Sequence, residues 1–298
     1  MKRLHNHFQT QGNSSLARVN GARSGPSELL SSDCVEQALE GRQAHEQGIM
    51  KGHESYTLGT GSRASLLVHG IAGSPAQMRP LAENLAASGI TARGTLLPGH
   101  GTHPAALESI VWQDWYEHVH REYSWLKKRH REVSLIGFSI GAALSAYYAA
   151  HNPVDRLVLL SVPLCPLNDR FPTGLMLRVY GMFFKIVKGK PETLLDVDGE
   201  PFSFVYESVP TSILHTMSDL VDIVRNNLDR IHSPILIMHS KKDRVSGKKS
   251  GPLVYRTVRS PQKRLVMLER SGHSVMVDVE QDLVFREIIG FLNGGLTG

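Results

Sequence analysis

Three side chains, Ser139, Asp243 and His273, have the types and the settings for nucleophilic chemistry. Ser139 stands in Gly137-Phe138-Ser139-Ile140-Gly141, after four residues of buried-strand character, 133–136, and before the helical pattern 142–149. A strand that turns sharply into a helix with a serine at the corner is a nucleophile elbow. Such a corner strains the serine backbone, and a Cβ on either flanking glycine would crowd the adjoining strand and helix. A serine hydroxyl attacks poorly until a base takes its proton, and the usual base is histidine. Of the 15 histidines, His273 is best placed: it follows the strand pattern 265–268, within Arg270-Ser271-Gly272-His273-Ser274, just before the last helix. An imidazole base in turn needs an acid that fixes its tautomer and stabilises the imidazolium. Asp243 follows the strand pattern 234–239 in the loop Ser240-Lys241-Lys242-Asp243-Arg244-Val245. Asp222 and Asp229 are rivals for that role, but both sit in helical pattern before the strand.

Each candidate has a bland counterpart. Five close neighbours of Asp243 are Lys or Arg, so a solvated charged turn competes with a catalytic acid. His100 and His103 follow a strand but lie upstream of the elbow, where they would shape the site rim. His239, at a strand end, reads as structural. His118, His120, His130 and His151 lie on or at the ends of helices, where a solvated face is expected.

Acyl transfer also needs donors for a tetrahedral oxyanion. The backbone N–H of Ile140 is one, at the start of the elbow helix. The second should come from the loop His69-Gly70-Ile71-Ala72-Gly73-Ser74, with Ile71 N–H as the natural donor. Gly70 and Gly73 let that backbone approach a substrate closely.

The elements that must position these groups alternate. Strand patterns fall at 55–59, 64–69, 90–97, 133–138, 156–161, 234–239 and 264–268. Helical patterns fall at 75–88, 111–129, 140–151, 248–258 and 279–292. In the helix 111–129, Val111, Trp115, Val119 and Leu126 mark the inner face, with Trp112 and Trp125 at its rim. Repeated strand–helix units imply an α/β fold with a mostly parallel sheet covered on both faces. Functional groups then gather at the carboxyl ends of the strands. Residues 51–162 and 233–298 form this core. Residues 163–232 break the alternation and read as an inserted, mostly helical cap. Residues 1–50 are an N-terminal extension, polar and disordered over 1–30, with a weak helix at 31–47.

Within the cap, the stretch 175–188 is apolar. It is read either as a helix packed on the core or as an acyl-chain wall to which Met176, Met182, Phe183 and Phe184 contribute. A third reading has Arg178, Lys185 and Lys188 making a weak lipid-surface contact. Asp196-Val197-Asp198-Gly199-Glu200 lacks the full spacing of a calcium loop and reads as a turn.

Composition narrows the classes further. The 298 residues are 41 % hydrophobic, enough for a large core. The formal net charge is +5, but Lys2, Arg3, Arg18 and Arg23, with no acid in residues 1–27, leave the rest near +1. No recognition helix or aromatic–basic alternation supports nucleic-acid binding. Two cysteines, Cys34 and Cys165, give neither a disulfide framework nor metal spacing. No metal or cofactor is expected. The charged N-terminus lacks an apolar signal core, and no stretch is long and apolar enough to span a bilayer, so a cytoplasmic protein is expected.

The segment Leu66-Leu67-Val68-His69-Gly70-Ile71-Ala72-Gly73-Ser74-Pro75, followed by Leu96-Leu97-Pro98-Gly99-His100-Gly101-Thr102, resembles the bacterial carboxylesterase and monoacylglycerol lipase family of α/β-hydrolases. Trp112-Gln113-Asp114-Trp115, the elbow and Ser271-Gly272-His273 agree, and the likeness spans roughly residues 55–295. The chain order Ser139, Asp243, His273 is also that of an α/β-hydrolase. The resemblance implies a serine ester hydrolase with Ser139 as nucleophile, Asp243 as acid, His273 as base, and Ile71 and Ile140 as oxyanion donors. Its substrates would be acyl esters of small alcohols or glycerol. A thioesterase, lysophospholipase or acyltransferase would use the same triad, and a ligand-binding receptor of the same fold would turn little over. The sequence leaves the oligomeric state open. It departs from the family where members often carry an aromatic at Ile71, Met at Ile140, and a proline at Ser246-Gly247 shortly after the acid. The cap is also longer than in the smallest members.

Overall fold

The computed structural model describes residues 48–165, 186–188, 206 and 208–295. Nine strands occur among them: β1 (Tyr56–Leu58), β2 (Arg63–Val68), β3 (Ile90–Thr95), β4 (Glu132–Phe138), β5 (Arg156–Leu160), β6 (Ile186–Lys188), β7 (Ser208–Pro210), β8 (Ile235–Ser240) and β9 (Lys263–Leu268). Six α-helices accompany them: α1 (Arg79–Ala87), α2 (Trp112–Lys127), α3 (Ile140–His151), α4 (Thr211–Arg225), α5 (Ser250–Thr257) and α6 (Gln281–Leu292). Seven strands form one sheet in the order β1-β3-β2-β4-β5-β8-β9. Only the β1–β3 pairing is antiparallel; every other neighbour in this sheet is parallel.

The near-continuous apolar strands explain the layering. Alternate side chains of a strand point to opposite faces, so a strand covered on both sides must be apolar throughout. Leu66 and Val68 of β2, Leu135 of β4, and Leu157 and Leu159 of β5 enter one core with Trp115, Val119 and the α3 residues Ala143 and Leu144. Leu67, Ile136, Val158 and Leu160 enter the other, with Leu81 and Leu85 of α1 and Ile288 and Phe291 of α6. Ser139, Asp243 and His273 all follow the carboxyl ends of sheet strands, β4, β8 and β9.

Local chemistry moved some boundaries. The helix expected at 75–88 is split into a 3₁₀ turn, Pro75–Met78, and α1, because Pro80 has no N–H to continue the ladder. Val111 is not on the inner face of α2; it precedes the helix and is 46 % exposed. The Asp114 carboxylate accepts the Val111 N–H at 3.0 Å, which caps the helix and leaves the valine outside its buried stripe. Trp112 and Trp125 are half-buried rim residues, as expected.

Strands β5 and β8 are sheet neighbours, so the chain between them is an excursion that returns. It holds α4 and an antiparallel pair, β6–β7, with Val187 opposite Val209. Ile186-Val187-Lys188 is therefore strand, not the end of a helix over 175–188, in keeping with its β-branched residues. Met176, Met182, Phe183, Phe184, Arg178, Lys185, the turn at 196–200, the helix at 31–47 and the arm 1–30 lie outside the described residues. Among the described residues, no helix is long and apolar enough to cross a membrane.

Candidate active site

The elbow is built by exclusion of side chains. A Cβ on Gly137 would stand 2.3 Å from the Gly141 carbonyl oxygen, and one on Gly141 would stand 2.3 Å from Val68 O and 2.4 Å from His69 O. The helix can thus start directly against β2 and β4 only if both positions lack a side chain. Ser139 takes the resulting strain, with φ 53° and ψ −122°. Its N–H donates to Leu160 O at 2.9 Å, which ties the corner to β5.

Ser139 Oγ lies 3.0 Å from His273 Nε2, and His273 Nδ1 lies 2.9 Å from Asp243 Oδ2. An ionised carboxylate can only accept, so Nδ1 carries the proton and Nε2 is left to accept the serine O–H. Asp243 receives three further hydrogen bonds: Val245 N–H at 2.8 Å and Ser246 N–H at 2.9 Å reach Oδ1, and the Ser246 hydroxyl donates to Oδ2. Burial alone would push the Asp243 pKa up. The bonds from His273 and Ser246 outweigh it and hold the carboxyl well below the usual carboxylate range. The group is ionised at neutral pH. It is buried, not the solvated charged turn that its Lys and Arg neighbours suggest.

The His273 loop is held from four sides. Glu280 accepts from the backbone N–H groups of Glu269, Arg270 and Ser271 and from the Ser271 hydroxyl. Asp278 accepts from Gly272 N–H at 2.6 Å. Ser161, the residue after β5 with φ 50°, donates its hydroxyl to His273 O at 2.7 Å. Ser240 donates to Ser271 O. Sequence reasoning gave none of these side chains a role. A survey of polar residues just past each strand would have found Ser161 and Ser240. Ser246 appeared only as a departure from proline, yet a proline there could give Asp243 neither N–H nor O–H.

Ile140 is the first residue of α3, so its N–H has no partner one helical turn back. Ile71 lies in the turn after β2, beside the serine: a Cβ on the adjacent Gly70 would stand 3.3 Å from Ser139 Cβ. His69 orients this turn. Its Nδ1 bonds Gly70 O at 2.8 Å and its Nε2 accepts Leu97 N–H at 3.1 Å. Gly70 O and Ile71 N–H belong to one peptide plane, so the His69 ring also sets the direction of the Ile71 N–H. Burial, reinforced by nearby His100, drives the His69 pKa well below its ordinary value and keeps this single neutral tautomer.

Of three other histidines, His100 and His118 depart from expectation, and His239 is buried at its strand end as a structural residue would be. His100 is buried rather than on a rim, with its ring edge-on to His69 at 4.9 Å and Nδ1 3.2 Å from Pro98 O. Burial lowers its pKa to about 4. His118 is bonded to Thr95 Oγ1 at 2.6 Å instead of facing solvent. His100, His103 and His118 line a cavity of about 820 Å³ together with Arg93 and Glu122, and no triad residue lines it. His239 is fully buried 3.6 Å from Asp243 Oδ2, and burial lowers its pKa against the pull of that carboxylate. Among the described residues, no cluster of His, Cys, Asp or Glu has the arrangement of a metal site.

Comparison with known proteins gives consistent relatives. The profile of a family described as serine aminopeptidase, S33, matches residues 62–280. A carboxylesterase of Bacillus subtilis (strain 168) is 29 % identical over 80 % of this chain and 95 % of its own length. A thermostable monoacylglycerol lipase of Bacillus sp. (strain H-257) is 30 % identical over 82 % of this chain and 95 % of its own. A solved structure from work on the metagenome-derived lipolytic enzymes LipS and LipT superposes with a TM-score of 0.76 at 24 % identity, covering 83 % of this chain and 99 % of that one. The monoacylglycerol lipase of Paleococcus ferrophilus gives 0.68 at 16 %, covering 80 % and 98 %. At those identities the two structures speak for the fold.

Proposed function

Because the chain belongs to the serine aminopeptidase S33 family of α/β-hydrolases, we propose that it is a serine ester hydrolase of carboxylesterase or monoacylglycerol lipase type, cleaving acyl esters of small alcohols or glycerol through an acyl-enzyme. The observation that carries this reading is the unbroken chain from Ser139 Oγ through His273 to Asp243, at 3.0 and 2.9 Å. Ser139 Oγ attacks the ester carbonyl carbon while His273 Nε2 takes its proton. Ile71 and Ile140 N–H receive the oxyanion. The tetrahedral species collapses, and the imidazolium gives its proton to the departing alcohol. Water, activated by the same nitrogen, then attacks the acyl-enzyme and releases the acid, restoring Ser139. The base must be neutral to begin each half, and Asp243 must be ionised. The sequence of steps uses no metal or cofactor.

The excursion between β5 and β8 acts, in this reading, as a cap over the acyl site. Tyr206 supports that role. Its N–H donates to Ala72 O at 2.9 Å and its hydroxyl accepts Thr102 N–H at 2.9 Å, so it touches the loops after β2 and β3 together.

The test is covalent labelling with a fluorophosphonate alongside turnover of short-chain esters. The wild type should be labelled at Ser139, and Ser139→Ala should be unlabelled with turnover lowered by roughly 10⁴-fold or more. Asp243→Asn should cost on the order of 10³–10⁴-fold by favouring the wrong tautomer. Full activity in Ser139→Ala would exclude this mechanism. Matched oxygen esters, thioesters and phospholipids then rank the substrate classes.

A further inference from the structure

The loops that carry Asp243 and His273 have an outer surface of unusual composition. Lys241, Lys242, Arg244, Lys248 and Lys249 are exposed around the buried Asp243, and Arg270 is exposed on the next loop. Residues 240–280 contain four acids. Asp243, Asp278 and Glu280 are buried, and only Glu269 faces outward, 2.5 Å from Lys241. With the chain beyond residue 27 near +1 overall, so many cations against one exposed acid make this edge strongly positive and leave a net negative charge elsewhere. The described residues contain four large exposed hydrophobic side chains, and two of them, Val245 and Val279, lie on these same loops, each 43 % exposed. One exposed valine is ordinary. Two on the edge where the cations gather make a mixed apolar and cationic face.

We propose that this edge docks the enzyme onto an anionic lipid surface, with Lys242, Arg244 and Lys248 against acidic headgroups and Val245 and Val279 entering the headgroup layer. Membrane-surface attachment commonly needs two weak signals, and cations with apolar side chains supply both. A nucleic acid would use the cations but not the valines, and these loops offer no aromatic side chain for a base to stack on. The loops follow β8 and β9 at the carboxyl edge of the sheet, the edge at which Ser139 follows β4. Docking here would therefore turn the site toward the surface from which a lipid ester is drawn; in that respect alone it rests on the function proposed above.

The experiment is co-sedimentation of the full-length protein with vesicles of phosphatidylcholine alone, or with about a third phosphatidylglycerol, in parallel with turnover of a water-soluble short-chain ester. Wild type should bind the anionic vesicles at least tenfold more tightly than the neutral ones, and high salt should abolish the difference. Lys242→Glu, Arg244→Glu and Lys248→Glu together should remove that preference, and Val279→Asp should weaken binding several-fold. Soluble-ester turnover should stay within about twofold in both, because these side chains are exposed while Ser139, Asp243 and His273 are buried. The corresponding triple Gln variant should keep the wild-type melting temperature and show intermediate binding, which separates lost charge from lost fold. Undiminished anionic binding in the triple Glu variant would assign the lipid contact to the basic arm 1–27 and overturn the proposal. Equal binding of wild type to both vesicle types, or tighter binding to duplex DNA that the triple variant loses, would also overturn it. Vesicle binding without ester turnover would instead overturn the hydrolase reading and leave the docking surface standing.

Discussion

At Gly137 and Gly141 there is no space for a side chain, and the serine between them is fixed by backbone packed against backbone. Between Glu269 and Glu280 the histidine is instead fixed by carboxylates and hydroxyls that reach in from four places. The elbow joins two adjacent elements, β4 and α3, so the residues that form it fall within five positions, although β2 and β5 press on it from elsewhere in the chain. The base loop joins β9 to α6 but is held by Ser161, 112 residues away, and by Ser240, 31 residues before Ser271. Steric exclusion makes the elbow rigid at any pH. The base loop depends on hydrogen bonds to Asp278 and Glu280, and Glu280 accepts them best while it is ionised.

That contrast can be broken at either end. Gly141→Ala should have the largest effect: the new Cβ meets β2 backbone that cannot retreat, costing about 3 kcal/mol or more. Urea unfolding should show the loss, and a near-wild-type midpoint would mean that the elbow can relax. Glu280→Gln removes the charge that four donors share, and should cost about 1–3 kcal/mol. Turnover should fall with it, as His273 loses its bearing. Ser161→Ala frees one carbonyl, and should cost about 1 kcal/mol with a fall in kcat, not a rise in KM.

Acid provides the fourth probe. Burial raises the Glu280 pKa, but the backbone and hydroxyl donors overcome it and hold the group below its ordinary 4.5. Its stabilising contribution is therefore full above about that pH and is lost as pH falls through the folded value. His100 acts higher. With a folded value of about 4 against an ordinary 6.5, the unfolded chain binds the extra proton, so stability declines from pH 6.5 down to about 4. Asp243, also held below its ordinary value, adds to the lower limb, so Glu280→Gln should make that limb shallower and leave the upper one unchanged. An unchanged lower limb would mean that Glu280 is not part of the acid-sensitive set.

The same contrast explains what could be read from sequence. Gly137, Ser139 and Gly141 announce their corner within five residues, and the strands that precede Asp243 and His273 are plain from their apolar runs. The parallel sheet and its two covered faces follow from that pattern. Ser161 and Ser240 stand at strand ends, but their partners come near only in the finished sheet; Asp278 and Glu280 bond within their own loop, six to eleven residues back, where no sequence period marks the pairing. Ser246 was within reach, since a hydroxyl three residues after an aspartate can turn back on it. His118 was misplaced for a similar reason: helical spacing put it outward, but Thr95 at the end of β3 was there to meet it.

The backbone of Ser139 has a consequence for evolution as well as for chemistry. A φ of 53° suits glycine better than serine. Ser139→Gly should therefore be inert as a catalyst and yet harder to unfold than the active protein, a gain that Ser139→Ala should not share. Random substitution followed by selection for stability alone would then favour the dead enzyme at this one position. The serine stands there against the preference of its own fold, and under the proposed mechanism selection for turnover is what keeps it in place.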